Sequence, residues 1–365
     1  MITPLDNSDL QLGDAIIAPG TTRDVRLSIS ESYAGDPVHV PVRVIRAHEP
    51  GPVVLLTAAV HGNEINGTGI LRELIFDSPL QLQRGTVICA PLVNVFGFEH
   101  RSRYMPDGRD LNRCFPGFAN GSLASRYAHI IMEELIENCH YAIDIHSAAD
   151  TRTNYPNIRG DLRHQKVAEI AEAFGCELMV NGRGPVGSFR RAATDSGRPT
   201  ILLEAGEVNK MQPGIMAVGV RGIRNVLIHL NMLEGTIEKP AFQTRVRKSI
   251  WVRSALGGLL RFHVTPGQIV DQGQPLATTE SIFGEARSIV IAPSDGIVLG
   301  MATHPAAHPG EPICHIAIPR RSIKGIRKAI EQAARNRPMA QVRNQLAANM
   351  SVSPSPNSAA YGDSK

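Results

Sequence analysis

Between Val53 and Glu64 the chain runs Val-Val-Leu-Leu-Thr-Ala-Ala-Val-His-Gly-Asn-Glu. A continuous apolar and β-branched run of strand length reads as a strand buried on both faces, the habit of parallel sheets in α/β proteins. Ligands of such sheets collect beyond the carboxyl ends of the strands. His61 and Glu64 lie just past that end, where an imidazole and a carboxylate can share one zinc ion. Alone, His-x-x-Glu occurs by chance in many chains, and a solvated loop would read the same way.

Two further segments end in the same manner. Tyr141-Ala-Ile-Asp-Ile-His146 is a short strand that closes on a histidine, and Pro199-Thr-Ile-Leu-Leu-Glu204 closes on a carboxylate before Ala205-Gly206. Three strands thus each deliver a titratable group to one sheet edge. Three protein ligands with a fourth position open is the pattern of catalytic rather than structural zinc, and His61, Glu64 and His146 would supply it, with one zinc ion per chain. A core histidine usually sits in mid-element, whereas these sit at strand exits.

A fourth segment, Ser102-Arg-Tyr-Met-Pro-Asp-Gly-Arg-Asp-Leu-Asn-Arg-Cys-Phe-Pro-Gly117, resembles the Asp-Leu-Asn-Arg-x-Phe-Pro-Gly signature of the succinylglutamate desuccinylase/aspartoacylase family, a branch of the zinc-carboxypeptidase-like hydrolases. His61-Gly-Asn-Glu64, Asp144-Ile-His146 and Glu204-Ala-Gly-Glu207 match its other motifs in the same chain order, and the resemblance covers roughly residues 20–320. Within the family, the general run of the N-terminal half resembles the bacterial branch associated with a ribosomal-protein glutamate ligase. The resemblance implies zinc on His61, Glu64 and His146, Glu204 as general base, Arg103 facing the scissile carbonyl, and Asn112 and Arg113 on a substrate carboxylate. The chemistry needs such groups: a base to move the proton, a fixed positive donor for the oxyanion, and a planar guanidinium to read a carboxylate with two hydrogen bonds. The family also carries an arginine ahead of the base; Arg190 and Arg191 are the candidates, and Arg190 is preferred as a substrate-binding residue. Asp144, on the same strand face as His146, reads either as a hydrogen-bond partner of that histidine or as an ordinary buried polar contact. His48, His100, His129, His140 and His164 read as surface or packing residues.

With 365 residues the chain can bury a large core and is expected to hold two domains. No apolar run is long enough to span a membrane, and Met1-Ile-Thr-Pro-Leu-Asp6 shows no basic start followed by an apolar core. Cys89, Cys114, Cys139, Cys176 and Cys314, odd in number and scattered, suggest no disulfide framework. A cytoplasmic protein is the expectation. The net charge of +4 is uneven: nine Lys/Arg against two acids from Arg320 onward leave the rest of the chain near −3. Nothing in the body of the chain therefore calls for a nucleic-acid substrate.

The order of segments predicts an α/β fold, with a mixed, mostly parallel sheet flanked by helices over 1–245. Helices are expected over 66–77, from Ser122 as N-cap to Cys139, and from Pro213 to Leu233. After Pro240 the pattern changes to short strands broken by turns. Pro266-Gly-Gln-Ile-Val-Asp-Gln-Gly-Gln-Pro-Leu276 resembles the turn of lipoyl- and biotinyl-type barrels, and no lysine occurs between Lys248 and Lys324. A small β-barrel or barrel-sandwich domain without a carrier function is expected over 246–320. In 321–365, Ile323, Ile326 and Ile330 predict a basic helix, read either as a docked surface helix or as a contact for an acidic partner. The polar, proline-rich stretch beyond Asn349 is expected not to fold.

The leading expectation is a zinc-dependent amidohydrolase that removes an acyl group from an N-acyl amino acid or related small carboxylate-bearing amide. The alternative in the same chemistry is a carboxypeptidase-like hydrolase of a short peptide or of a glutamyl (iso)peptide bond. A non-catalytic binding module is a third reading, opposed by the intact set of candidate residues. A homo-oligomer is compatible with all three.

Overall fold

In the computed structural model, which describes residues 10–332, 338–348, 350 and 352–353, the chain divides into two compact units. One comprises Met1–Ser147 and Pro156–Gln243, the other Ala148–Tyr155 and Thr244–Lys365.

In the first unit a short hairpin, β1 (Leu10–Leu12) and β2 (Ala15–Ile17), precedes a long one, β3 (Thr22–Glu31) and β4 (Pro37–Arg46). Val25, Leu27 and Ile29 on β3 and Val40, Val42 and Val44 on β4 are buried at every second position, as strands with one wet face require. Then come β5 (Glu49–Ala58), β6 (Arg84–Ala90), β7 (Tyr141–His146), β8 (Arg152–Gly160, beginning in the second unit), β9 (Leu178–Asn181) and β10 (Thr200–Gly206). Their order is β9-β8-β10-β7-β5-β6-β4-β3. β6–β5, β5–β7, β7–β10 and β8–β9 run parallel, whereas β3–β4 and β4–β6 run antiparallel. The sheet is mixed, with parallel pairing at the strands that carry the candidate residues.

Helix α1 (Asn66–Arg72) continues through a wider π-type turn to Asp77, so the helix expected over 66–77 forms, with Ile70, Leu71 and Leu74 buried. α2 (Val95–Glu99) is capped by the Asn94 side chain. α3 (Leu123–Ile131) starts at Ser122, whose hydroxyl accepts from the Ser125 N–H at 3.4 Å; its apolar face shares a core with β1–β4. α4 (Gln165–Phe174), α5 (Phe189–Asp195) and α6 (Pro213–His229) follow, and α1 and α4 both pack on α6. α6 stops at His229 rather than at Leu233. The N–H groups of Asn231 and Met232 turn back to the carbonyls of Ile228 and Leu227, with Asn231 left-handed at φ 56°, so a tight C-terminal turn ends the helix before Gly235 is reached.

The second unit holds β11 (Thr244–Arg253), β12 (Gly258–Phe262), β13 (Ile269–Val270), β14 (Pro275–Glu280), β15 (Ala286–Ile291), β16 (Gly296–Ala302), β17 (Ala306–Ala307) and β18 (Pro312–Pro319). β15-β14-β12-β17 form one sheet and β13-β16-β18-β11 lie in another, all pairs antiparallel. Leu260, Phe262 and Leu276 from the first meet Val298, Ile313 and Ile316 from the second in one core, a barrel-sandwich arrangement. The β14–β15 hairpin tip carries exposed Ile282 and Phe283. α7 (Ile323–Gln332) buries only Ile326 and pairs Arg327 with Asp271 at 2.8 Å; α8 (Pro338–Ala347) follows. Val352 and Ser353 lie along β12, with the Ser353 N–H on the Phe262 carbonyl. The chain beyond Asn349 therefore does take structure at those two residues; 354–365 fall outside the described residues.

Candidate active site

At the end of β5 the chain turns sharply: Ala59, fully buried, adopts φ 52°, a left-handed conformation that costs a non-glycine residue roughly 1–2 kcal/mol. Such strain gathers where a chain must present particular groups. Here it brings round Val60, His61 and the loop to Glu64. A Cβ on Gly62 would lie 2.0 Å from the Gly97 carbonyl carbon, so glycine is what lets this loop sit against α2. β7 runs parallel between β5 and β10: its Asp144 faces Thr57 of β5 in register, and its His146 faces Glu204 of β10.

This register gathers His61, Glu64 and His146, whose ligand atoms all lie within 4.8 Å of one another, all three buried. Glu64 joins the imidazoles: Oε1 is 2.5 Å from His61 Nδ1 and Oε2 is 2.9 Å from His146 Nδ1. The Ser147 N–H also donates to Oε2 at 2.9 Å. Each histidine holds its other nitrogen on an aspartate, His61 Nε2 at 3.1 Å from Asp110 and His146 Nε2 at 2.7 Å from Asp144. Asp144 is itself held by the Thr57 hydroxyl at 2.8 Å, so of its two expected readings the contact to His146 is the one observed.

Arg103 lies in the same cluster. Its Nη1 is 3.1 Å from Glu64 Oε1 and 3.2 Å from His61 Nδ1, and its Nη2 donates to Asp110 at 3.0 Å. Burial opposes charge on both imidazoles, yet the surrounding carboxylates outweigh it and raise both above the ordinary histidine value. Burial likewise opposes ionisation of Glu64 and Asp110; the two imidazoles for Glu64, and His61 with Arg103 for Asp110, hold them well below the usual carboxylate range. With neutral imidazoles, Glu64, Asp110 and Asp144 against Arg103 alone leave a local charge of about −2. Two imidazole nitrogens and a carboxylate, with each outer nitrogen on a carboxylate, form a donor set suited to a divalent ion such as zinc.

The other candidates separate into two groups. Glu204 is brought beside the cluster on the neighbouring strand, with Arg159 Nη1 at 3.5 Å from its carboxylate. Arg190, at the start of α5, is buried, and its Nε and Nη1 have no hydrogen-bond partner among the described residues. Burial and then the Arg159 guanidinium push its pKa down to about 10, against the pull of Glu204. Arg191 faces Asp195 at 3.5 Å instead. Asn112 is buried, and its side-chain oxygen accepts from the Phe189 N–H at 2.8 Å, tying the Asp110–Arg113 turn to the start of α5. Arg113 is exposed, with its Nη1 folded onto the Asn112 carbonyl at 2.7 Å. Glu207, the other acid of the Glu204 motif, is held by Lys210 at 2.5 Å.

Sequence reasoning passed over Asp110, Thr57, Asn157 and Arg159. Asp110 stands inside the Asp-Leu-Asn-Arg segment and accepts from the Asn112 N–H as an N-cap; an acid two residues ahead of a candidate was the available signal. Asn157 and Arg159 carried none, because nothing local says that β8 neighbours β10.

The sequence model described as "Succinylglutamate desuccinylase/Aspartoacylase catalytic domain" matches residues 50–230. N-alpha-acetyl-L-2,4-diaminobutyric acid deacetylase of Halomonas elongata is 30% identical over 311 residues, covering 80% of this chain and 90% of that protein. The succinylglutamate desuccinylase/aspartoacylase crystal structure from Rhodobacter sphaeroides matches with a TM-score of 0.72 and 25% identity, covering 83% of this chain and 96% of that one. The product-bound ectoine utilization protein EutE (DoeB) from Ruegeria pomeroyi matches in fold with a TM-score of 0.72 at 23% identity, covering 87% and 98%.

Proposed function

The chain belongs to the succinylglutamate desuccinylase/aspartoacylase family, and on that footing we propose that it is a zinc-dependent hydrolase of the amide bond in an N-acyl amino acid. The observation that carries the reading is the His61–Glu64–His146 cluster, with an aspartate behind each imidazole. Those three residues would hold one zinc ion. Bound there, zinc would lower the pKa of a water to about 7 and polarise a carbonyl.

The chain's own groups do the rest. Glu204 takes the proton of the attacking water and passes it to the leaving nitrogen, a role worth roughly 10²–10⁴-fold. Arg103, next to the cluster, donates to the carbonyl oxygen as negative charge builds there. Asp110 keeps that guanidinium in place through Nη2. Arg190, buried with two unpartnered nitrogens, is the strongest candidate for the substrate carboxylate, with Asn112 and Arg113 at the adjoining turn. Asn112 acts in part by holding the first residue of α5, next to Arg190.

The Halomonas relative is named for N-alpha-acetyl-L-2,4-diaminobutyric acid, so an N-acetylated amino acid is the substrate class to test before others. The decisive assay measures amine release by zinc-loaded protein from N-acetyl, N-succinyl and γ-glutamyl amino acids and short peptides, before and after chelation. Release from the acyl amino acids that stops on chelation and returns with zinc supports the proposal. Release confined to γ-glutamyl compounds would favour the peptidase alternative, and release indifferent to chelator would overturn the metal.

A further inference from the structure

Glu204 stands between two strands with different duties. On one side is β7, whose His146 faces it in register; on the other is β8, which contributes nothing to the His61–Glu64–His146 cluster. β8 instead turns Asn157 and Arg159 toward Glu204. The Asn157 amide donates to the Glu204 main-chain carbonyl at 3.1 Å, and its side-chain oxygen accepts from Arg159 Nε at 3.1 Å. Arg159 Nη1 then lies 3.5 Å from Glu204 Oε2. Backbone and carboxylate of one residue are thus gripped by two side chains that are themselves linked, two positions apart on one face of a strand.

We infer that Arg159 is a positioning residue for the reaction, holding the Glu204 carboxylate in the orientation from which it handles the proton. This rests on the assignment of Glu204 as base. Two features favour the role over an ordinary ion pair. Asn157 is fully buried, so it is a rigid post for the guanidinium. The Arg159 and Glu204 side chains keep 30% and 14% of their exposure, so the pair is reachable from solvent as a proton-transfer group must be. Arg190 from α5 also feels the Glu204 carboxylate, which counters the like charge of Arg159 on it. Arg159 differs from Arg190 in being tied to the strand post Asn157 while it pairs with the carboxylate.

The test is a double-mutant cycle read on the best acyl amino acid of the wild type. Arg159→Ala is expected to lower kcat by about tenfold with KM changed much less, Arg159→Lys to recover part of it, and Arg159→Ala to add almost nothing in a Glu204→Gln background. Zinc content and thermal midpoint should match the wild type, which excludes a merely structural loss. A rise in KM with kcat unchanged, or equal losses in both backgrounds, would overturn the positioning role while leaving the base assignment intact. Full activity in Glu204→Gln would remove the base itself, and with it the role of Arg159.

Discussion

Each imidazole of the cluster turns one nitrogen to Glu64 and the other to an aspartate, and the second contact decides how well the first can serve a metal. An anionic acceptor on Nε2 fixes the proton there, leaves Nδ1 its lone pair, and makes it more basic. Asp144→Asn keeps the volume and loses the charge, so zinc affinity should fall about 10–100-fold by competition with a chromophoric chelator; an unchanged affinity would mean that packing alone orients the ring. Glu204→Gln touches no ligand and should keep the zinc while losing roughly 10²–10⁴-fold in turnover. A loss below about tenfold would transfer the role to another acid, with Glu207 next. Arg190 and Arg113 are separated by burial. A carboxylate that pairs with a buried guanidinium loses about 2–5 kcal/mol when the partner is removed, whereas an exposed pair is worth about 0–1. Arg190→Ala should therefore abolish most of the preference for a substrate acid over its amide, and Arg113→Ala little of it. The reverse ranking would put the carboxylate at the Asp110–Arg113 turn.

The loops that carry these residues are shaped by what they pack on. Adding a methyl group at Gly62 drives it into the backbone of α2 at Gly97, so Gly62→Ala should destabilise by about 1–3 kcal/mol, seen as a lowered thermal midpoint together with reduced zinc content. An unaltered midpoint would show that α2 can yield. Much of this scale was legible in the sequence. The apolar runs ending at Ala58, His146 and Gly206 announced their strands, and the groups that follow or close them are the ones the structure gathers at one sheet edge. The cap at Ser122 and the start at Pro213 were equally plain. What escaped was whatever depends on strand order or on distant partners. The link between His61 and Asp110 joins two loops, and the Asn157–Arg159 grip on Glu204 needs β8 beside β10. The end of α6 was misplaced because a left-handed Asn231 does there what Gly235 was expected to do.

Across the whole first unit the site is a meeting of distant segments, from His61 to Glu204, so an ion bound there is linked to the folding of that unit. Zinc at about a hundred times its dissociation constant should stabilise by roughly 2.7 kcal/mol. Chelation should accordingly lower the midpoint of thermal unfolding by several degrees, reversed by zinc; a midpoint that ignores both would place the ion on a surface the fold does not need. The sheet order carries a consequence for biosynthesis. β10 is made after β8 and β9 yet lies between β7 and β8. While the chain emerges from the ribosome, the slot beside β7 has to wait for Thr200–Gly206. His61, Glu64 and His146 are all synthesised before that strand arrives, so the three residues that would hold an ion can come together ahead of Glu204, the proposed base. On the proposed reading, an unfinished chain would be equipped to capture a metal ion before it could cut anything.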